Sequence, residues 1–186
     1  MHPVSVHALW LAQDDPKKNT AVLAAKRGDL RLHKTIKTLP KKGIILEPLC
    51  GKVLGPEDHE LLLEQRGALV GLDCSWAHIE SSVQAVMKRT RLEPRMLPLL
   101  LAANPVNWGK PGKLTTAEAL AAVLYLMGRR EQAVETLASF RWGKRFFELN
   151  QEPLDAYAGA ATSSELVSLQ FEFFDLDHLL EEREES

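Results

Sequence analysis

Cysteine is scarce in this chain of 186 residues: only Cys50 and Cys74 are present, and neither belongs to a C-x-x-C pair or to a zinc-binding spacing with histidine. The sequence also lacks the glycine-rich loops typical of dinucleotide-binding proteins and of P-loop NTPases. No apolar run reaches the length of a transmembrane span, and no signal peptide is evident. We therefore expect a cytoplasmic protein with free thiols, no metal and no membrane partner.

Charge is distributed unevenly although the net charge is only −2. The segment from Pro16 to Lys52 carries ten basic residues against two acidic ones, whereas the segment from Glu165 onward carries eight acidic residues against one arginine. A basic half opposed to an acidic tail is typical of proteins that bind a polyanion. The alternative is two solvated faces that offset each other, and charge alone does not decide between them.

The first 103 residues alternate apolar runs with helical stretches, which predicts βαβ units and a mainly parallel sheet. Buried strands are predicted at 4–12, 43–46, 68–72 and 97–103, with 52–54 as a further candidate. Helices are predicted at 20–27, 56–67 and 79–88. Thr20 is the expected N-cap of the first, and Pro56 marks the start of the second.

After residue 104 the pattern becomes helical. Thr115 and Glu118 have the spacing of a capping box, and the helix that they begin should end before Gly128. Two or three short helices should follow up to Asn150, and a last helix, capped at Thr162, should extend to the C-terminus. We expect an α/β domain of residues 1–103 followed by an all-helical domain of residues 104–186.

Three stretches carry residues suited to ligand binding beyond the carboxyl ends of predicted strands, where open α/β sheets bind their ligands. They lie at 15–20, 72–76 and 102–109. Asp73 and Trp76 suit a charged, flat ligand, and the helix start at Thr20 suits a carboxylate or a phosphate. The structural alternatives are simple N-capping, an Asx turn beside a core tryptophan, and an ordinary turn between domains.

A longer series of ordered motifs runs from residue 14 to about residue 157. In chain order these are KKNT at 17–20, GIILEP at 43–48, LGPED at 54–58, LDCSW at 72–76, LP at 97–98, AANPVN at 102–107, LTTAEA at 114–119, FRWG at 140–143, FELN at 147–150 and LDAY at 154–157. In these motifs the chain resembles the SAM-dependent aminocarboxypropyltransferases that modify small-subunit rRNA. So many motifs in one order make a chance resemblance improbable.

The resemblance implies a fold related to the knotted SPOUT-class RNA methyltransferases, with the cofactor in a cleft between the parallel sheet and the helical domain. It also implies an apolar pocket for adenine, and the matching residues are Leu46, Pro48, Trp76, Leu97, Leu114 and Ala119. The main chain of Leu97 and of Gly112 would read the edge of the adenine. Many relatives carry an aromatic residue in place of Gly112, and tyrosine is common in place of Trp108.

Four residues take the remaining implied roles. The main chain of Leu72 would meet the ribose, and Thr20 would bind the amino-acid part of SAM. Asp73 would lie near the sulfonium and Trp76 against the SAM side chain, and these two are the expected catalytic residues. Whether Asp73 binds the cation or accepts a proton is left open, because a carboxylate that favours the ground-state cation slows its discharge.

The implied reaction transfers the 3-amino-3-carboxypropyl group of SAM to N3 of a uridine or pseudouridine in small-subunit rRNA and releases 5′-methylthioadenosine. The target base must be exposed, which favours a loop nucleotide. Phosphate contacts are expected from nine residues: Lys17, Lys18, Arg27, Arg31, Lys88, Arg89, Arg91, Arg95 and Lys110. Plain solvation of each is the alternative. A monomer is expected, since the helical domain would complete the pocket within one chain.

Other functions fit parts of the same pattern. A SPOUT-like methyltransferase would transfer the methyl group and release S-adenosylhomocysteine. A non-catalytic ribosome-assembly factor would bind RNA and leave its mass unchanged. An unrelated α/β binding protein would have no affinity for SAM.

Overall fold

A single parallel sheet forms the centre of the molecule. The computed structural model describes residues 2–13, 15–74 and 79–176. Five strands lie in the order β2-β1-β4-β3-β5, and every neighbouring pair is parallel. They are β1 (Val6–Trp10), β2 (Arg31–His33), β3 (Gly43–Leu46), β4 (Ala68–Asp73) and β5 (Glu93–Arg95). The predicted parallel α/β sheet is thus confirmed.

Helices cover the sheet and form the C-terminal part of the described chain. They are α1 (Thr20–Arg27), α2 (Ile79–Met87), α3 (Thr116–Leu126), α4 (Arg130–Leu137), α5 (Gly143–Leu149), α6 (Gln151–Gly159) and α7 (Ser163–Phe173). Short 3-10 turns occupy Ile36–Thr38 and Pro56–Asp58, and a single π-helical turn occupies Glu60–Glu64. No described helix is long and apolar enough to cross a membrane.

Both faces of the sheet are buried, as parallel sheets require. On one face, alternate residues of β1 and β4 join a large core with α1, α3 and the helices that follow. On the other face a smaller core contains Leu9, Ile45 and Val70 together with Val86 of α2. Gly71 of β4 allows α3 to lie close to the sheet, since a Cβ atom there would come 2.8 Å from the Thr116 methyl group.

The run from Leu97 to Ala103, predicted as a buried strand, is not a strand. Its main chain bonds to side chains of the C-terminal part and to the main chain of residues 109–112, instead of to a strand of the sheet. The Leu99 N–H donates to Gln170 Oε1 at 2.7 Å, and the Tyr157 hydroxyl donates to the Leu99 carbonyl at 3.1 Å. Asn150 accepts from the Leu101 N–H at 2.7 Å and donates to its carbonyl at 2.9 Å. These side chains satisfy buried main-chain groups that a strand ladder would otherwise pair.

Other predicted elements differ in extent. The helix predicted over 56–67 is replaced by the two short turns, and the candidate strand at 52–54 makes one bridge, between Val53 and Met96. β2 and β5 were not predicted, because three residues are too few to show a period. α7 ends at Phe173, where Phe174 adopts an extended conformation, so the predicted helix is interrupted there. The remainder of the predicted helix and most of the acidic tail lie outside the described residues.

The bounds of α1 and the start of α3 agree with the sequence. The left-handed Gly28 ends α1, and the predicted capping box of α3 is present, because Thr115 and Glu118 bond each other's main chain. Thr162 caps α7 as expected. Cys50 and Cys74 do not form a disulfide bond with each other.

Candidate active site

The carboxyl ends of the central strands meet the N-termini of α1 and α3 at one edge of the sheet. Trp10, the last residue of β1, lies opposite Asp73, the last residue of β4. The two helix starts are in contact, since the Ala117 N–H donates to the Thr20 hydroxyl at 3.3 Å. Helix N-termini present unpaired N–H groups and a partial positive charge. This edge, which we call the carboxyl edge, therefore combines a carboxylate with two anion-binding helix ends.

Asp73 is buried at the carboxyl edge and held from both sides. One oxygen accepts from Asn19 Nδ2 at 2.5 Å, and the other accepts from the Thr116 hydroxyl at 2.6 Å. Its exposed fraction is 9%. Because Asn19 precedes α1 and Thr116 begins α3, two separate helices fix the orientation of one carboxylate.

Asn19, and not Thr20, is the N-cap of α1. Its Oδ1 accepts from the Val22 N–H at 2.9 Å while its Nδ2 donates to Asp73. Thr20 is the first helical residue. The two residues are adjacent in the sequence and asparagine is the stronger cap former, so the preference order of N-caps was the available signal. The contact of Asn19 with Asp73 spans 54 residues and had no sequence signal.

Apolar residues from several elements lie along this edge. Leu46 ends β3 and is buried, whereas the other described members of the expected adenine pocket keep partial exposure: Pro48, Leu97, Leu114 and Ala119. Leu72, expected to meet the ribose, is also partly exposed. No hydrogen bond joins the main-chain N–H of Leu97 to any described residue. Partly exposed apolar side chains and an unused main-chain donor are typical of a ligand pocket.

Gly112 and Trp76 were also expected to contact SAM. Gly112 is exposed with φ +70°, and its N–H donates to the Leu100 carbonyl at 2.9 Å. A side chain is disfavoured at that backbone angle, which fits the glycine at this position. Trp76 lies outside the described residues, so its expected contact with SAM stays a prediction.

Glu118 connects α3 to the loop of residues 102–113, which we call the Trp108 loop. Its carboxylate is fully buried and accepts from the N–H groups of Ala103 at 2.7 Å and of Asn104 at 3.1 Å. It also accepts from Asn104 Nδ2 at 2.8 Å and from the Thr115 N–H at 2.7 Å. The capping glutamate therefore fixes the loop and the first turn of α3 together, and that turn also carries Thr116.

Of the nine basic residues expected to contact RNA, eight are exposed: Lys17, Lys18, Arg27, Arg31, Lys88, Arg89, Arg91 and Lys110. Arg27 lies 3.5 Å from Asp29, which partly offsets its charge. Arg95 is different, and its assignment is corrected. Its guanidinium is buried against Asp58 at 2.8 Å, and a second contact runs to the Pro94 carbonyl at 2.7 Å. The side chain is 7% exposed, so Arg95 supports the fold instead of an RNA phosphate.

A second polar cluster lies on β1 and β2, away from Asp73. His7 Nδ1 and His33 Nε2 are 2.9 Å apart. Further side-chain hydrogen bonds join His7 to Ser5 and His33 to Thr38. Burial, the neighbouring His33 and the charge of Arg31 lower the pKa of His7 to about 4. Burial, followed by the charge of Arg31, lowers the pKa of His33. Both rings are therefore neutral at pH 7.

The described residues also enclose two cavities away from the carboxyl edge. A small one of about 40 Å³ lies between Pro56, His59 and Leu126. A broader groove of about 520 Å³ lies between Arg31 and Glu135. Neither contains Asp73, so the carboxyl edge is assigned from its residues and not from cavity size. Among the described residues no group of three acidic, histidine or cysteine side chains is arranged to hold a metal ion.

Comparison with known proteins gives consistent results. Residues 44–174 match the family model described as ribosome biogenesis protein, C-terminal. A 16S rRNA aminocarboxypropyltransferase of Methanosarcina acetivorans is 43% identical over 167 residues, which cover 90% of this chain and 92% of the relative. The protein of the same name from Methanopyrus kandleri is 45% identical over 159 residues, covering 86% and 92%.

A solved structure also resembles this one. It is the SAM-dependent rRNA:acp-transferase Tsr3 from Vulcanisaeta distributa, with a TM-score of 0.79 and 39% sequence identity. The match covers 96% of this chain and 94% of that protein. Identity at this level over nearly full length extends the likeness beyond the fold.

Proposed function

The chain belongs to the ribosome biogenesis protein family that includes 16S rRNA aminocarboxypropyltransferases, and from this premise we propose that it transfers the 3-amino-3-carboxypropyl group of SAM to small-subunit rRNA. The acceptor is N3 of a uridine or pseudouridine, and the second product is 5′-methylthioadenosine. The observation that carries the proposal is the fixed Asp73 carboxylate between two helix N-termini, beside partly exposed apolar residues.

The chemistry of SAM fits this edge group by group. The adenine is apolar on both faces and suits Leu46, Pro48, Leu97, Leu114 and Ala119. Its edge can pair with the main chain of Leu97 and of the loop at Gly112. These assignments make the adenine pocket a joint product of the sheet, the Trp108 loop and α3.

The charged parts of SAM suit the helix starts and Asp73. A carboxylate is favoured at the N-termini of α1 and α3, where Thr20 lies, while the sulfonium is favoured beside Asp73. We propose that the main chain of Leu72, which precedes Asp73 on β4, meets the ribose. Trp76 follows shortly after in the sequence and is proposed to pack against the SAM side chain.

We assign Asp73 to binding and orientation of the sulfonium instead of proton transfer. Both of its oxygens already accept hydrogen bonds, from Asn19 and Thr116. In the proposed step, N3 of the base forms a bond to the γ-carbon of the methionine chain while the bond from that carbon to sulfur breaks. The sulfonium becomes a neutral thioether, and the N3 proton passes to solvent. Alignment of the two reacting atoms supplies most of the acceleration, since effective molarities reduce such barriers by roughly 7–11 kcal/mol.

Further proposals concern the whole molecule. We propose that the sheet belongs to the SPOUT-like class with its knot, and that residues 1–103 and 104–186 act as two domains that share the cofactor cleft. The bond between Asp73 and Thr116 crosses that boundary and supports a shared site. We also propose that the enzyme acts as a monomer in the cytoplasm on rRNA or a pre-ribosomal particle.

The deciding experiment identifies the products. Purified protein is incubated with SAM and unmodified small-subunit RNA, and both the nucleoside product and the RNA are analysed by mass spectrometry. Methylthioadenosine together with an RNA mass increase equal to one aminocarboxypropyl group is expected. S-adenosylhomocysteine with a methyl increase would instead establish a methyltransferase, and binding without any mass change would establish an assembly factor.

A further inference from the structure

The Trp108 loop exposes a large aromatic side chain at its tip. The Asn107 carbonyl accepts from the Lys110 N–H at 2.9 Å, so Trp108 and Gly109 are the two central residues of a tight turn. Gly109 has φ +73°, an angle that such turns accept at little cost only with glycine. Trp108 is 55% exposed and the nearby Val106 is 83% exposed. An exposed tryptophan at a turn tip indicates a binding surface.

The base of this loop is rigid although its tip is exposed. Asn104 is 2% exposed, and its Oδ1 accepts from the Asn107 N–H at 3.0 Å. The Gly109 N–H donates to the Ala102 carbonyl at 2.7 Å, and the buried Glu118 carboxylate holds Ala103 and Asn104. A loop whose backbone is held by these bonds loses little backbone conformational entropy when its tip binds a partner.

The charge of the Trp108 loop itself favours a nucleic acid over a protein partner. Lys110 and Lys113 are both exposed on the same loop. No acidic residue occurs between residues 94 and 117 of the chain, and Glu118 is buried and engaged with the loop. An aromatic ring beside lysines is the combination that binds single-stranded nucleic acid, since bases stack on the ring and phosphates pair with the cations.

The loop is also joined to the candidate site. Glu118 holds the loop and Thr115 through one carboxylate, and the next residue, Thr116, donates to Asp73. The first turn of α3 therefore connects the Trp108 loop to the carboxyl edge.

We propose that Trp108 is a stacking platform for an unpaired base of the substrate RNA, with Lys110 and Lys113 binding the adjoining phosphates. This inference rests on the proposed function, which supplies the RNA substrate. It assigns Trp108 to substrate positioning, outside the SAM pocket. The two contributions are separable, because stacking requires a base and the lysines require only a phosphate backbone.

The test compares two single-stranded probes that carry the same charge. One is a fluorescently labelled oligouridylate, and the other is an abasic ribose-phosphate chain of the same length. Trp108→Ala should weaken oligouridylate binding roughly ten-fold and leave abasic binding unchanged, and Trp108→Phe should restore most of the loss. Replacing Lys110 and Lys113 with glutamine should weaken the binding of both probes. Phe171→Ala, which truncates an aromatic side chain that is 65% exposed on α7, serves as the matched control and should change neither.

Kinetics separate this inference from the proposed function. Methylthioadenosine formation by the wild-type protein tests the function, whereas Trp108→Ala should raise KM for RNA and leave KM for SAM unchanged. Equal oligouridylate affinity in wild type and Trp108→Ala, or an equal loss for both probes, would overturn the stacking role. So would a Trp108-dependent self-association in sedimentation with unaltered RNA affinity, because that result assigns the surface to a protein partner.

Discussion

At the scale of single residues, Asn19 fills two roles with two separate side-chain atoms. Its amide oxygen caps α1, and its amide nitrogen donates to Asp73. Serine, threonine and aspartate supply the capping oxygen without the N–H group. The residue that starts α1 therefore also fixes the carboxylate assigned to the sulfonium.

The fixed Asp73 carboxylate should make the site prefer a positively charged ligand over a neutral one. Asp73→Asn should lower the preference for SAM over S-adenosylhomocysteine roughly ten-fold, which corresponds to about 1.4 kcal/mol, because only SAM carries the positive sulfonium. Asn19→Ser keeps the cap, and Thr116→Val keeps the shape; each should lower the preference by a smaller factor. Calorimetric titration with both ligands measures it. An unchanged ratio in all three variants would contradict the placement of the sulfonium beside Asp73.

Residue-level prediction from sequence succeeded for the capping box of α3 and was wrong by one residue for the N-cap of α1. The capping box of Thr115 and Glu118 follows from their spacing alone. The contacts of Glu118 with Ala103 and of Asn19 with Asp73 depend on the folded chain. Arg95 was misassigned because its charge is visible in the sequence and its pairing with Asp58, 37 residues away, is not.

At the scale of elements, the extended segment around Leu99 and Leu101 is the main departure from the sequence-based expectation. An apolar run of this length fits a buried strand equally well. The outcome depended on which groups would pair with its main chain. The partners are Tyr157 on α6, Gln170 on α7 and Asn150 between α5 and α6, all distant in the sequence. No local pattern identifies such partners. The predicted burial of the run is confirmed for Leu100, Ala102 and Ala103.

Asn150 should accordingly be important for stability. It is fully buried, and Asn150→Ala leaves both the N–H and the carbonyl of Leu101 without their partner. We expect the free energy of unfolding to fall by about 2–6 kcal/mol, since each of the two unsatisfied groups costs about 1–3 kcal/mol. Urea denaturation measures this change. Gln151→Ala is the control. Gln151 is the next residue and is exposed, so its replacement should lower the free energy of unfolding by much less.

The pair of His7 and His33 predicts a dependence of stability on pH. The pKa of His7 is about 4 in the folded protein and about 6.5 in the unfolded chain, so the unfolded chain binds the additional proton as the pH falls. The stability that neutral His7 contributes is present above pH 6.5 and is lost progressively towards pH 4, by up to about 3 kcal/mol.

Urea denaturation at several pH values between 7.5 and 4.5 tests this expectation. His7→Gln removes the titrating group and should flatten the slope of unfolding free energy against pH in that interval. If His7→Gln shows the same slope as the wild type, other groups cause the acid sensitivity.

At the scale of the whole molecule, the exposed basic residues near the carboxyl edge predict salt-dependent RNA binding. Lys17 and Lys18 are exposed just before α1. Reversing both to glutamate should weaken RNA association and reduce the slope of log K against log salt by about 1.5, because two phosphate contacts are lost. Filter binding across a salt series measures the slope.

A second charge reversal distinguishes a local effect of Lys17 and Lys18 on RNA binding from an effect of the net charge of the protein. Lys144 and Arg145 are exposed on α5, where both pair with Glu148. Changing these two residues to glutamate alters the net charge by the same amount and should leave the salt slope nearly unchanged. Equal effects of the two double variants would mean that RNA responds to overall charge, and Lys17 and Lys18 would lose their place in the interface.

The order of synthesis adds a consequence to the bonds made by Leu99 and Leu101. The side chains that bond to their main chain follow them by 49 to 71 residues, so these side chains leave the ribosome well after the segment that needs them. Until these side chains emerge, the main-chain polar groups of the nascent segment must be hydrated or bound by a chaperone. Truncation before Asn150 should therefore yield an aggregation-prone product, and slow translation through α3 to α5 should lengthen the period in which the newborn enzyme is vulnerable.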